Sequence, residues 1–458
     1  MATRRSGVTP IAALAALSRV TAGGCYAGMV GNRPVFAGRE QAVLVLGPPR
    51  SGKTTGIVVP NVLIAEAVVS VSTKRDVLDA TIAARLRHGP CYLFDPSGIV
   101  KAPAEATLAG WSPLHAAQSW SGAVGVAEAM VGASHHLLGT AESSHWAERA
   151  SALLAPLFHA GAIGEASIDE VVSWVQRREP ERALATLAQA DAVLALDLLS
   201  GVTETDPREL SGIWSTASGV LAAYRTQAAI ASACRPAMDW SAVLEGHASV
   251  YVVAPSEHQR HGAPLVAGLI RELREHVYGA ALAQRSRASN VLLVLDELAN
   301  IAPLHDLPEL VSEGGGLGIT TIACLQDLSQ ARHRWRTAGE GFLSLFGTKV
   351  MLGGLGDRAT LETLSLLLGD HDVPLISKSR LGLSARATTT RTTRRLPRLS
   401  PDAIASIEAG KALVLRSTQA ARVDLPQLAA PDAGHSARRA FERRGRRGDL
   451  SRTWQRER

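Results

Sequence analysis

The chain has 458 residues, 46% hydrophobic and 20% charged, enough to bury a large core in two or three structural units and too apolar for wholesale disorder. Its formal charge is +6, and only six of its 48 basic residues are Lys, so the Arg excess reads as composition bias and is poor evidence for a nucleic-acid partner. Cys25, Cys91, Cys234 and Cys324 are scattered without a CxxC pair, which argues against a zinc ribbon or a disulfide framework and makes a reducing compartment the default.

At the N-terminus, Arg4 and Arg5 precede the apolar run 11–17, but Arg19 interrupts it and no run of 18 apolar residues occurs anywhere. The run reads as a short surface helix rather than an export signal, in a soluble, cytoplasmic chain. Short apolar runs then alternate with helical stretches, the pattern of an α/β fold with a mainly parallel sheet. Predicted strands are 43–46, 68–71 and 91–95, with helices over 53–67 and 76–87. From about 116 to 242 the sequence is Ala- and Leu-rich with no convincing strand, and it reads as an all-α insertion. Strands return at 250–254, 291–295, 319–324, 349–352 and 412–415. The expected organisation is an N-terminal segment (1–35), a nucleotide-binding domain in two parts (36–115 and 243–428), the all-α insertion (116–242) and a basic tail (429–458). Residues 377–398 read as a surface loop, and the tail as a disordered segment.

Between the first strand and its helix stands a complete GxxxxGK[ST] motif: Gly47, Pro48, Pro49, Arg50, Ser51, Gly52, Lys53, Thr54, followed by Thr55. Glycines let successive backbone N–H groups converge on phosphate oxygens, and the new helix points its positive end at the same anion. Lys53 supplies a mobile charge for the β- and γ-phosphates, and the Thr54 hydroxyl a hard oxygen for Mg²⁺. The expected ligands are therefore ATP and Mg²⁺. The run 291–295 makes a strand buried on both faces, and Asp296 and Glu297 emerge at its carboxyl end, where ligands bind in open α/β sheets. Asp296 is expected to hold the Mg²⁺ shell and Glu297 to polarise the attacking water. Gln326, just beyond the strand 319–324, could sense the γ-phosphate or simply cap the next helix.

Together these elements resemble the VirD4/TraG family of type IV secretion coupling proteins, within the FtsK/HerA class of motors and closest to its actinobacterial conjugation-type branch. The resemblance rests on the spelling of residues 47–54, on Phe94-Asp-Pro96, Trp111-Ser-Pro-Leu114 and His145-Trp146, and on Ala299 with Pro308-Glu-Leu310. Leu325-Gln326, Ser329-Gln330, Thr348-Lys-Val350 and Leu399-Ser-Pro-Asp402 extend it over roughly residues 30–428. It implies a RecA-like ATPase interrupted by an all-α domain, a homo-hexameric ring, and delivery of single-stranded DNA bound to a relaxase into a secretion channel. By the same resemblance, Lys53, Glu297 and Gln326 are the catalytic set, and 116–242 recognises DNA or a relaxosome protein.

Three departures stand out. Relatives usually carry N-terminal transmembrane helices and this chain shows none, which suggests either a soluble motor recruited peripherally to the membrane by an anchored secretion partner or a role that has drifted. The stretch Glu313-Gly-Gly-Gly-Leu-Gly318 replaces a basic segment of several relatives, leaving the trans arginine to weaker candidates, Arg336 and Arg358. In Ser72-Thr-Lys-Arg-Asp76 an acid common two residues before the Lys is missing, and Lys74 is placed near nucleotide by resemblance only.

Residues 377–398 carry Lys378, Arg380, Arg386, Arg391, Arg394, Arg395 and Arg398 without a carboxylate; the tail adds Arg438, Arg439, Arg443, Arg444, Arg446 and Arg447. Both segments could neutralise phosphates or be merely solvated, and few aromatics accompany them for base stacking. Two functions stay open: a DNA-transfer motor, or a soluble ATPase that presents protein substrates to a secretion system without moving DNA.

Overall fold

The computed structural model describes residues 24–134, 141–255, 259–283, 290–301, 304–379, 388–417 and 419–426. The N-terminal run, the Arg-rich tail, Arg380 and Arg386 lie outside the described residues.

Alternation explains the central strands. In β3 (Val43–Leu46) all four side chains are buried, Val43 and Val45 packing into one cluster and Leu44 and Leu46 into the other. Strands clothed on both faces need no polar side, so they read as unbroken apolar runs. β4 (Ala67–Ser72), β7 (Ser249–Val253), β8 (Val291–Leu295) and β9 (Ile319–Leu325) are likewise buried along their whole length, β4 and β9 with Ser70, Ser72, Thr320 and Thr321 among the apolar residues.

With β1 (Tyr26–Val30), β2 (Arg33–Phe36), β5 (Cys91–Phe94), β6 (Thr107–Leu108), β10 (Thr348–Leu352), β13 (Lys411–Arg416) and β14 (Gln419–Asp424), these form a 12-stranded sheet ordered β2-β1-β14-β13-β10-β3-β9-β8-β4-β7-β5-β6. Pairing is parallel from β10 through β6 and antiparallel from β10 through β2. The sequence reading places no strand before Val43 and none after Leu415. β2 (RPVF) is short and β14 (QAARVD) largely polar, which leaves little pattern in the side chains; β1 (YAGMV) is buried, but Gly28 interrupts its apolar run where the register with β2 shifts.

Between β6 and β7 the described residues form helices from Pro113 to Leu244, with one isolated bridge, Gly110 to Ala237. Polar caps mark the starts: Ser112 Oγ accepts from Leu114 N–H (3.3 Å), and Ser167 with Glu170 makes a capping box. The helix Gln259–Leu282, which follows β7, packs on Trp120–Gly132. Its Gly268 is needed there, because a Cβ at that position would lie 2.3 Å from the Trp111 ring. One turn on, the buried carboxylate of Glu272 accepts from the indoles of Trp111 (2.5 Å), just before the helical stretch, and Trp240 (3.1 Å), at the start of its last helix.

Of the stretch 377–398, expected to be a loop, residues 377–379 and 388–397 are strand, and 380–387 lie outside the described residues. β11 (Asp370–Ser379) and β12 (Thr388–Pro397) pair antiparallel as a separate two-stranded ribbon, in register from Asp370–Pro397 to Ser379–Thr388. The cue lay in β-branched threonine rather than apolar alternation: β12 reads TTTRTTRRLP. No helix among the described residues is long and apolar enough to cross a membrane.

Candidate nucleotide site

Adjacent parallel strands with matched registers end at one edge of the sheet. Leu46 of β3 pairs with Leu325 of β9, Ala323 of β9 with Leu295 of β8, and Leu295 with Val71 of β4. The next residues of the four strands are therefore delivered side by side: the loop from Gly47, then Gln326, Asp296, and Ser72 at the end of β4.

The loop Gly47–Thr54 turns tightly, with Arg50 (φ 63°) and Gly52 (φ 96°) in the left-handed region. Glycine accepts that geometry without steric cost; at Arg50 it is strain that the surrounding turn must hold. The chain then enters a wide π turn over Thr54–Val58 before regular helix over Val59–Ile64. Lys53 is 7% exposed, and its ammonium donates to the carbonyl oxygens of Gly47 and, at 3.0 Å, Pro48. The buried Ser51 hydroxyl has no hydrogen-bond partner among the described residues.

Asp296 is equally buried, and its backbone N–H donates to Val71 O (3.0 Å). Its Oδ2 accepts from Thr54 Oγ1 (3.3 Å) and Ser72 Oγ (3.4 Å). Burial and then the neighbouring charge of Glu297 push its carboxyl above the usual range, against the pull of the Thr54 and Ser72 hydrogen bonds and of Lys53. Glu297 sits at φ 79°, a costly conformation for a residue with a Cβ, and its Oε2 accepts from Asn300 Nδ2 (3.2 Å).

These groups share one cavity of about 650 Å³, lined by Pro49 through Thr55, Ser72, Thr73, Lys74, Asp76, Asp296 and Glu297. Gly47 and Pro48 support it from behind, through their carbonyls on Lys53. Ser72 and Asp76 were not singled out from sequence. Nothing near Ser72 in the chain signals its contact with Asp296, which arises from strand register across 224 positions. Gln326 directly follows β9, which lies between β3 and β8, but does not line the cavity; its N–H donates to Gln330 Oε1 (2.8 Å), and the following helix is capped by Asp327 instead.

The trans-arginine candidates also stand outside the cavity lining. Arg358 pairs with Glu362 at 2.7 Å on an exposed helix face, and Arg336 interrupts its helix at φ 49°. In the helix Leu307–Leu317 a Cβ at Gly315 would lie 2.0 Å from the Glu40 carbonyl oxygen, whereas Gly316 meets open space. Packing thus bars a side chain at 315 but not at its neighbour.

The residues fit a magnesium nucleotide on three counts. Thr54, Asp296 and Ser72 cluster three hard oxygens, the unpaired Ser51 hydroxyl and the loop amides offer donors, and Lys53 offers a cation. No group of three or more His, Cys, Asp or Glu side chains able to hold a metal occurs among the described residues. Magnesium does not require one, since it commonly takes one or two carboxylates and completes its shell with phosphate and water.

No curated protein matches the chain. Among solved structures, the bacterial conjugative coupling protein TrwB in an unbound form superposes with a TM-score of 0.68 at 19% identity, covering 93% of this chain and 94% of that one. TrwB in complex with ADP and Mg²⁺ superposes with a TM-score of 0.63 at 19% identity, covering 86% and 88%. These likenesses establish the fold, the RecA-like α/β architecture of a coupling protein. A family model described as type IV secretory system conjugative DNA transfer matches residues 12–423, nearly the whole chain, which therefore belongs to that family.

Proposed function

We propose that the chain is an ATP-driven DNA-transfer motor, a coupling protein that hydrolyses ATP to recruit and move single-stranded DNA or a relaxase–DNA complex. The observation that carries this reading is the convergence of Lys53, the Thr54–Asp296 pair and Glu297 on one cavity in a chain of the conjugative DNA transfer family. TrwB, its structural neighbour, has been seen with ADP and Mg²⁺ and with non-hydrolysable ATP and GTP analogues.

In this mechanism the loop amides and the Ser51 hydroxyl bind phosphate oxygens, while Lys53 exchanges its carbonyl partners for the β- and γ-phosphates. Thr54 and Asp296, backed by Ser72, would hold magnesium, which would supply positive charge to neutralise those phosphates. Glu297, held by Asn300, accepts a proton from the water that attacks the γ-phosphorus as the bond to the ADP oxygen breaks. Gln326, one strand away from both loops, senses the γ-phosphate or places that water once the loops close on nucleotide. Around this core we place a homo-hexameric ring, with residues 116–242 as the inserted all-α domain that receives DNA or a relaxosome protein. An anchored secretion partner recruits the ring to the inner face of the membrane.

Steady-state ATP hydrolysis at low salt, with and without a single-stranded oligonucleotide, tests the proposal. DNA should stimulate turnover. Turnover indifferent to DNA, but raised by a candidate secretion substrate, would replace the motor with an adaptor that presents proteins.

A further inference from the structure

The ribbon of β11 and β12 needs a reason to exist. A lone two-stranded ribbon is marginal in water, because neither face is covered and both edges leave backbone groups unpaired. Here it runs ten residues per strand, roughly 30 Å, and among the described residues its main packing is within itself, with a slight contact to the helix Arg358–Leu368. Register places Arg391, Thr393 and Arg395 on one face, opposite Ile376, Pro374 and Asp372, and Thr392 and Arg394 on the other, opposite Leu375 and Val373. Arg391, Arg394 and Arg395 are all exposed, as are Leu375 (44%) and Ile376 (58%). Arg395 reaches back to Asp370 at 3.2 Å; Arg391 and Arg394 make no hydrogen bond or ion pair among the described residues.

We propose that this ribbon is a duplex-DNA contact, seated in the major groove. The major groove is about 12 Å wide and admits a two-stranded β-ribbon. The residue types match what a groove offers: guanidinium groups for phosphates and for guanine edges, threonine hydroxyls for phosphate or base edges, and exposed aliphatics for thymine methyls. The charge is complementary too, since 377–398 carries seven cations and no carboxylate, leaving Asp370 and Asp372 at the ribbon root as its acids. Single strands are a poorer match, because no Phe, Tyr or Trp lies between Asp370 and Arg398 to stack unpaired bases. The proposal rests on the DNA-transfer reading and adds to it a contact with the double strand, outside the nucleotide cavity.

The test is equilibrium binding of the full chain to a labelled duplex and to a single strand of the same sequence, by fluorescence anisotropy over a salt series. The triple variant Arg391→Ala, Arg394→Ala, Arg395→Ala should lower the slope of log K against log salt for duplex by about 2–3, and weaken binding about 10–100-fold at low salt. The corresponding Arg→Lys triple keeps the charge and should recover most of the slope, which separates lost contacts from a folding defect. Parental slope and affinity in the Ala triple would overturn the ribbon contact while leaving the motor intact. Loss confined to the single strand would overturn the duplex assignment, and a changed oligomer mass with unchanged DNA binding would assign the ribbon to contacts between copies. A parent chain that binds neither DNA would remove the motor reading and the ribbon contact together.

Discussion

The nucleotide cavity and the ribbon β11–β12 handle charge in opposite ways. In the cavity, Lys53 and Asp296 are each 7% exposed and each makes contacts with fixed protein partners. In the ribbon, guanidinium groups stand in solvent, and one of the three, Arg395, has a carboxylate beside it. Charges taken out of water must be held by neighbours, so their positions are set before a ligand arrives. Charges left in water cost little and adapt to whatever polyanion approaches. The first arrangement suits chemistry on one phosphate; the second suits contact with a long backbone.

Substitutions should separate the two regions, the largest effect first. Lys53→Ala should reduce ATP hydrolysis by on the order of 10³-fold or more, because no other cation that the cavity buries can replace it; a phosphate-release assay reads the loss, and residual turnover near the parent would undo the site. Glu297→Gln should slow hydrolysis by about 10²–10⁴-fold while a fluorescent ATP analogue binds within a few-fold of the parent. Robust turnover in that variant would move the base elsewhere.

Asp296→Asn should trade activity for stability. Burial and the charge of Glu297 hold the Asp296 carboxyl above its ordinary pKa, so the folded chain binds that proton more tightly than the unfolded one. Its contribution to stability is therefore present at low pH and is lost as the pH rises through the raised value. At neutral pH the ionised side chain is a net cost, and the amide, which still accepts from Thr54 and Ser72, should raise Tm by on the order of 2 °C while Mg²⁺-dependent turnover falls. Differential scanning from pH 7 downward should show the gain shrinking as the pH falls through the raised value. The smallest effect belongs to the ribbon: Arg395→Ala breaks an ion pair whose Arg is 77% exposed and should change stability by less than about 0.5 kcal/mol in denaturant unfolding. A loss several times larger would mean that the ribbon is a structural brace.

Much of the core was legible. Strands such as Val43–Leu46 and Val291–Leu295 announce themselves because burial on both faces demands unbroken apolar runs. The loop 47–54 is legible for a different reason: its chemistry is carried by consecutive backbone amides, so the motif is contiguous in the chain. Ser72 was not legible, although it bonds to Asp296, because a serine ending an apolar strand is unremarkable until β4 is laid beside β8. Lys74 could be placed only by resemblance, and the structure puts it in the cavity wall. The ribbon was misread as a loop because threonine favours extended backbone without leaving the apolar alternation by which half-buried strands are recognised.

Composition, periodicity and one contiguous motif were thus enough to establish an α/β chain with a helical interruption and to nominate Lys53, Thr54, Asp296 and Glu297; its RecA-like character was implied only by resemblance. These features are local, set by which side chains must leave water and by which backbone must wrap an anion. The tertiary structure alone decided that β9 separates β3 from β8, that Ser72 backs Asp296, that Gly315 has no room for a side chain, and that the basic segment is a ribbon. Each of those depends on contacts between distant parts of the chain, where register and close packing act and no short window of sequence records the outcome.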